Sequence, residues 1–237
     1  MSAIADGDPL EPVNRVVYGF NEAADILVLR PAAEVYRGTV PTPVRMAVRN
    51  FLLNLTSPLL VANELLQGDF EGAQVAFSRF LVNTTIGLGG AFDIAGRYRD
   101  LHYEYEDFGQ TLAVWGVPDG PYLVLPLLGP SNLRDATGLV ADTAADPVNI
   151  WANNADRSGA MAVRAGVTGV DTRTELIEAV DDLRRNSLDP YASARSLYRQ
   201  RRATEINDGS GGSIEFPDYE DIDEPAVENG AGSSNSN

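Results

Sequence analysis

The side chains able to do chemistry are few and scattered. The chain of 237 residues holds one histidine, His102, and no cysteine. It therefore has no thiolate nucleophile, disulfide framework or cysteine metal site. Around the histidine runs Leu101-His102-Tyr103-Glu104-Tyr105-Glu106-Asp107. Glu104, Glu106 and Asp107 are the carboxylates from which an acid–base pair or a metal site would be assembled. The same spacing fits a solvated loop in which Asp107 caps the next helix. No His-Glu-x-x-His and no Gly-x-Ser-x-Gly elbow occurs. Gly87-Leu88-Gly89-Gly90 has the outline of a phosphate loop, but it follows a helical stretch and no Gly-Lys-Ser/Thr comes after it. A helix stop and turn accounts for it. Asn54-Leu55-Thr56 and Asn83-Thr84-Thr85 match glycosylation sequons but fall in helical, partly apolar stretches. No catalytic residue, metal ligand or cofactor is expected, and the chain reads as a non-enzyme.

Charge narrows the partners. The formal net charge is −16. The stretch 207–237 carries eight acids and no base, leaving 26 acids against 18 bases in the body. Every base is Arg. A body of net −8 is a poor match for nucleic acid, which demands a basic surface. Arg suits phosphate head groups through its planar fork of donors. No apolar run approaches the roughly 18–20 residues of a spanning helix. Met1-Ser2-Ala3-Ile4-Ala5-Asp6 lacks the apolar centre of a signal peptide.

The elements that would position these residues are helical. Asp8-Pro9-Leu10-Glu11 reads as a helix start, with Val13, Val16, Val17, Phe20, Ala24, Leu27 and Val28 on one face and Pro31 ending or kinking the helix. Thr42-Pro43 starts a second helix with Val44, Val48, Phe51, Leu52 and Leu55 as its stripe. Ser57-Pro58 starts a third, Leu59 to Gln67, stopped by Gly68. Asp69 caps a fourth, about 70–86, whose stripe includes Ala73, Phe77, Phe80, Leu81 and Thr84, and Gly87, Gly89 and Gly90 stop it. A short helix is expected at Ala91–Ala95, another from Asp107 to Trp115, and one from Ser131 to about Ala145. Four prolines exclude a regular helix over 117–130; Tyr122–Leu125 is open as a short strand. Long helices follow at roughly 158–186 and 190–206, the second started by Asp189-Pro190. The Gly-Ser run and acidic composition beyond Asn207 predict disorder.

The densest apolar stretch is 79–135, and Gly and Pro interrupt it throughout. Short amphipathic pieces bent around something would need such breaks. Three of its segments, with others outside it, form an ordered set of motifs. Those segments are Arg79-Phe80-Leu81-Val82-Asn83-Thr84-Thr85-Ile86-Gly87-Leu88-Gly89-Gly90, Glu106-Asp107-Phe108-Gly109-Gln110-Thr111-Leu112 and Gly120-Pro121-Tyr122-Leu123-Val124-Leu125-Pro126-Leu127-Leu128-Gly129-Pro130-Ser131-Asn132-Leu133-Arg134-Asp135. Outside them stand Asp8-Pro9-Leu10-Glu11-Pro12-Val13-Asn14-Arg15, Leu29-Arg30-Pro31, Val40-Pro41 with Arg45, Asn50-Phe51, Asn54-Leu55, Leu66-Gln67-Gly68-Asp69 and Asp189-Pro190-Tyr191. Together these segments resemble the MlaA (VacJ) family of Gram-negative outer-membrane lipoproteins; the match covers about 8–206, and its specificity lies in the order of the motifs.

The resemblance implies an all-α fold: a ring-like single domain of amphipathic helices around a central channel over 8–206, with a lead at 1–7 and a disordered acidic tail at 207–237. It implies a seat in the inner leaflet of the outer membrane, on the periplasmic face, beside an outer-membrane porin trimer. The implied function is removal of mislocalised phospholipid from the outer leaflet through an amphipathic channel, its transfer to the periplasmic carrier MlaC, and so preserved lipid asymmetry. A porin-associated scaffold without channel activity is the alternative. The family's lipid-modified Cys has no counterpart here, as expected if the lipobox precedes Met1 or if this member is held by its amphipathic surface. Arg164 is similar to a position basic in the family, and it is expected either to line the channel and meet the phosphate or to sit exposed on its helix. The resemblance also suggests a mobile hairpin between Gly87 and Gly109, hinged at Gly87, Gly89, Gly90 and Gly109. Phe77, Phe80, Leu81, Tyr122, Leu123, Leu125, Leu127 and Leu128 are expected to meet lipid.

Overall fold

A computed structural model describes residues 8–98 and 101–207. The expectations for the lead at 1–7 and for the tail from 208 onward lie outside the described residues; Asn207 ends the last helix. Helix α1 (Glu11–Ala24) continues through a π segment (Asp25–Leu29) into α2 (Arg30–Thr39). Pro31 sits in the first turn of α2, and the irregularity lies just upstream as the π segment. Asp8 is not the N-cap of α1; Leu10 holds that position without a side-chain cap. Asp8 is instead fully buried, accepting from Asn14 Nδ2 at 2.9 Å and from the Tyr191 hydroxyl.

The two helices expected on either side of Ser57-Pro58 are one, α3 (Thr42–Gln67), with Pro58 inside it. Thr56 Oγ1 and Ser57 Oγ donate back to the Leu53 carbonyl at 2.8 and 3.3 Å. Extensive packing on α4 (Phe70–Thr85) holds the helix across the proline. Gly68, at φ +84°, ends α3 as expected, and Asp69 caps α4 by accepting from the Glu71 and Gly72 amides at 3.0 and 2.9 Å. The short helix expected at Ala91–Ala95 is a turn followed by a 3₁₀ turn at Ala95–Arg97. Asp107 caps α5 (Phe108–Val114) as expected.

The proline-broken stretch forms a hairpin. Strand β1 (Tyr122–Leu125) pairs antiparallel with β2 (Gly129–Asn132), Tyr122 opposite Asn132 and Leu125 opposite Gly129. With only two strands, Pro130 needs no ladder partner on its outer side. Asn132, not Ser131, caps α6 (Leu133–Ala145), accepting from the Asp135 amide at 2.7 Å. Asp146 caps α7 (Pro147–Asn154). The helix expected over 158–186 breaks at Leu176 into α8 (Ser158–Glu175) and α9 (Ile177–Asn186). Helix α10 (Pro190–Asn207) follows.

The protein is all-α apart from this hairpin, and its packing follows a ring-like order. Helix α1 meets β1, the hairpin meets α6, α6 meets α7, and α7 meets α8. Helix α8 packs on α2, which leads back through the π segment to α1. Helix α3 touches α4, α5, α7 and α8, while α9 and α10 bridge α8 to α5 and the hairpin. The core inside this circuit is slight. Among the described residues nine hydrophobic side chains are buried, four of them Ala, against nineteen buried polar or charged ones. The one cluster of buried apolar residues joins Tyr122, Val124 and Tyr191, with Val17, Tyr18 and Tyr198 against it.

Candidate functional site

Helix α1 and the π segment are inside out. Their buried residues are Asn14 and Asp25, with Asn21 and Glu22 half-buried one to two turns away on the same face. The opposite face carries Val16 at 74 %, Phe20 at 54 % and Leu27 at 75 % exposure. An ordinary amphipathic helix buries the second set and wets the first. The pattern recurs. Helix α3 buries Asn54, Ser57, Asn63 and Glu64 while exposing Val44, Met46, Phe51, Leu65 and Leu66. Helix α4 buries Arg79 and Asn83 and exposes Phe70, Phe77 and Leu81. In all, 38 large hydrophobic side chains are exposed among the described residues. Water does not stabilise so extensive an apolar exterior.

The buried polar residues form a frame. Arg173 on α8 reaches Asp25 with both Nε and Nη2, at 2.6 and 3.0 Å. Arg184 on α9 joins Asp25 at 2.7 Å and Glu22 at 2.9 Å. Burial opposes charge on Asp25, but hydrogen bonds from Arg173 and Arg184 prevail and hold its carboxyl below the usual range. At the other end, Arg202 on α10 bridges Asp107, at 2.6 Å, and Asp135, at 2.8 Å. On α1, Asn14 donates to the Tyr122 carbonyl and accepts from the Val124 amide, while Asn21 does the same for Leu125 and Leu127. These two Asn side chains, seven residues apart, stand in for a third strand along β1. Every such bond joins distant segments, so the frame fixes the tertiary structure that a hydrophobic core would otherwise fix.

The residues expected to meet lipid divide. Phe77, Leu81, Leu127 and Leu128 are exposed, and Phe80, Leu123 and Leu125 are half-buried. Tyr122 is a correction: at 2 % exposure it is packed among Tyr191 and Tyr198 in the apolar cluster and faces no lipid. Alternation along β1 puts it on the inner side. Arg164 is half-buried on α8 and pairs with the α7 cap Asp146 at 2.6 Å, so it is not the freely exposed cation that one reading expected.

The hinge glycines lie where space is short. A Cβ on Gly87 would strike the Phe92 and Asn83 carbonyls, and one on Gly109 would meet Arg202 and Asp135. Gly90, at φ +95°, lies against Asn54. Only Gly89, at φ +72°, has open space around it. The segment beyond them carries no strand ladder among its described residues. It is held by Arg79, which grips both Asp93 oxygens at 3.0 Å and donates to the Leu101 carbonyl, and by Asn83, which donates to Asp93 at 2.9 Å and accepts from the Ala95 amide.

This inverted fold has known relatives. The MlaA lipoprotein family model matches residues 6–205. The chain belongs to that family. It is 38 % identical over 218 residues to the "Intermembrane phospholipid transport system lipoprotein MlaA" of Shigella flexneri, covering 91 % of this chain and 84 % of the relative. The protein of the same description from Haemophilus influenzae is 36 % identical over 206 residues, covering 85 % and 80 %. A solved structure described as "Structural basis for maintenance of bacterial outer membrane lipid asymmetry" superposes with a TM-score of 0.73 at 37 % identity, covering 84 % of this chain and 99 % of that one. No metal-binding group of His, Cys, Asp or Glu occurs among the described residues.

Proposed function

We propose that the protein lies in the inner leaflet of a Gram-negative outer membrane as a helical ring and moves mislocalised phospholipid out of the outer leaflet. The lipid passes along an amphipathic channel to a periplasmic carrier of the MlaC type, beside a porin trimer. The observation that carries this reading is the inversion of α1, α3 and α4, with polar faces buried and apolar faces outside. In a lipid leaflet the exterior ceases to be a liability, while the buried polar frame offers the head group partners that acyl chains alone would deny it. No helix among the described residues is long and apolar enough to cross a membrane, which fits a seat within one leaflet. The names of the relatives and the solved structure's subject support phospholipid as the cargo.

The test is reconstitution. Protein in proteoliposomes with porin is offered the carrier, and labelled phospholipid appearing on the carrier is counted. Transfer that requires this chain supports the proposal. Equal transfer from porin proteoliposomes lacking the chain leaves it at most a scaffold and overturns the channel.

A further inference from the structure

Beside the Arg202 end of the charged frame lies an acidic cleft of about 730 Å³. It sits where α3 ends and α4 begins, under the loop that leads into α5, with the end of α10 as its far wall. Its charged and titratable lining is Glu64, Asp69, Glu71, His102, Glu104, Glu106 and Glu205. No arginine of the described residues lines it. Some of these acids are spoken for. Asp69 caps α4, Glu106 accepts from Gln67 Nε2 at 2.6 Å, and Glu205 pairs with Arg201 and Arg202. Glu64 is different. It is 5 % exposed, its carboxylate lies against Gly72, and no cation or hydrogen-bond donor of the described residues meets its side chain.

We propose that this cleft binds a primary ammonium group, with the Glu64 carboxylate as its buried anchor and Glu104 and Glu71 at the mouth. A buried carboxylate without a partner is costly unless it is protonated or a cation arrives. The carboxylates are not gathered closely enough to hold a metal ion. Val75, Val114 and Ile206 line the same cleft, so the occupant carries a short apolar stem as well as a charge. The volume is that of a small-molecule site. The chain has no lysine to supply a primary ammonium side chain. A free alkylamine and the ethanolamine head group of a phospholipid share the chemistry the cleft would take.

The pH behaviour follows from the surroundings. Burial, aided by Glu106, Asp69 and Glu104, raises Glu64 to about 8. At pH 7 an arriving ammonium therefore expels a proton from Glu64, and affinity rises with pH until the amine itself begins to lose its charge near 10.

Calorimetric titration of the full protein in detergent with ethanolamine tests the site. Saturable binding is expected, with a heat that changes with the ionisation enthalpy of the buffer, and Glu64→Gln is expected to weaken it at least tenfold. Glu104→Gln, at the exposed mouth, is a second variant and is expected to weaken it several-fold. Absence of saturable ethanolamine binding by the wild type overturns the proposal, as does an affinity unchanged by both substitutions. Vesicles of phosphatidylethanolamine with phosphatidylglycerol are then compared with phosphatidylcholine–phosphatidylglycerol vesicles. Selective displacement of ethanolamine by the first supports the site and assigns a lipid source; displacement by neither supports the site and assigns a soluble amine. None of these readings depends on lipid transfer activity.

Discussion

Arg173 and Asp25 meet through two hydrogen bonds, 2.6 and 3.0 Å long, across 148 residues of chain. The pair ties α8 to the π segment between α1 and α2, and Arg184 adds a second cation to the same carboxylate at 2.7 Å. In a protein with so few buried apolar side chains, such a knot takes on much of the work of a core.

Removing one partner should therefore be severe. Arg173→Ala leaves Asp25 buried with one cation fewer, and a loss of about 3–5 kcal/mol is expected from a broken buried pair. Denaturant unfolding in a mild detergent measures it. Asp25, held below its ordinary carboxyl value in the folded state, contributes stability that is present above pH 4 and lost as pH falls through its folded value. The wild type should lose stability below pH 4, and Asp25→Asn should remove part of that slope.

Much of the local structure is legible in the sequence. Asp69, Asp107 and Asp189 cap helices where their spacing says they should, and Gly68 ends α3. What failed was local too: a proline inside α3, a break at Leu176, and a hairpin whose second strand, Gly129-Pro130-Ser131-Asn132, has nothing strand-like about it. Strand β2 exists because it pairs with β1, and that pairing is tertiary information. The stripe Val13, Val16, Phe20, Leu27 was visible, yet periodicity cannot say which of two faces looks inward. The complementary stripe Asn14, Asn21, Asp25 was equally regular, and three amide or acid side chains at helical spacing were the signal that the buried side is polar. Arg173 and Arg202 had no such signal, since their partners lie 148 and 95 residues away.

The acidic cleft predicts the opposite pH slope at the basic end. Burial raises Glu64 to about 8 and Glu106 to about 7. A carboxyl whose value rises on folding stabilises the native state fully below its unfolded value near 4.5, and that stability is lost as pH climbs through the folded value. Unfolding free energy should decline between about pH 4.5 and 8 and level off above. Glu64→Gln should flatten the decline and raise stability at pH 9. A wild-type profile level across this window, measured by denaturant titration, would contradict the burial of an unpaired acid.

If the segment after the glycines moves as the family resemblance implies and gates the channel, the Arg79–Asp93 pair is its latch. The Tyr103 side chain reaches toward Thr56 on α3. The chain has no cysteine, so Thr56→Cys with Tyr103→Cys gives the protein its only two thiols. A reducible bifunctional thiol crosslinker, long enough to replace the tyrosine side chain between them, should block lipid transfer and its reduction restore it, with helical content unchanged by circular dichroism. Transfer that persists through a confirmed crosslink puts the gate elsewhere. Asp93→Asn, which weakens the latch, is expected to act in the other direction and raise basal lipid leakage.

Arg164 separates two roles. If it meets lipid phosphate, Arg164→Glu should abolish transfer, and Asp146→Asn, which keeps an N-cap while removing the competing charge, should leave transfer intact or faster. If it serves only to tie α8 to the α7 cap, the two substitutions should lower stability and transfer together. Parallel measurement of melting and of lipid delivered to the carrier distinguishes the cases. Wild-type transfer by Arg164→Glu removes the residue from the channel altogether.

The exterior offers the most direct test of the inside-out fold. Val16, Phe20 and Leu27 are exposed on one side of α1 and the π segment and touch no core. In a globular helix, changing three such residues to Ser would cost several kcal/mol each time a buried side chain was lost. Here they give up little packing, so Val16→Ser, Phe20→Ser and Leu27→Ser together should leave unfolding in detergent within about 1 kcal/mol of wild type, as surface substitutions do. Partition into phospholipid vesicles should fall steeply, because each side chain forfeits the burial worth about 1.5–3 kcal/mol that the leaflet supplies. Flotation with vesicles measures the second quantity independently of the first. Collapse of stability with vesicle binding unchanged would mean that this face packs against protein, and the ring would have to be turned the other way out.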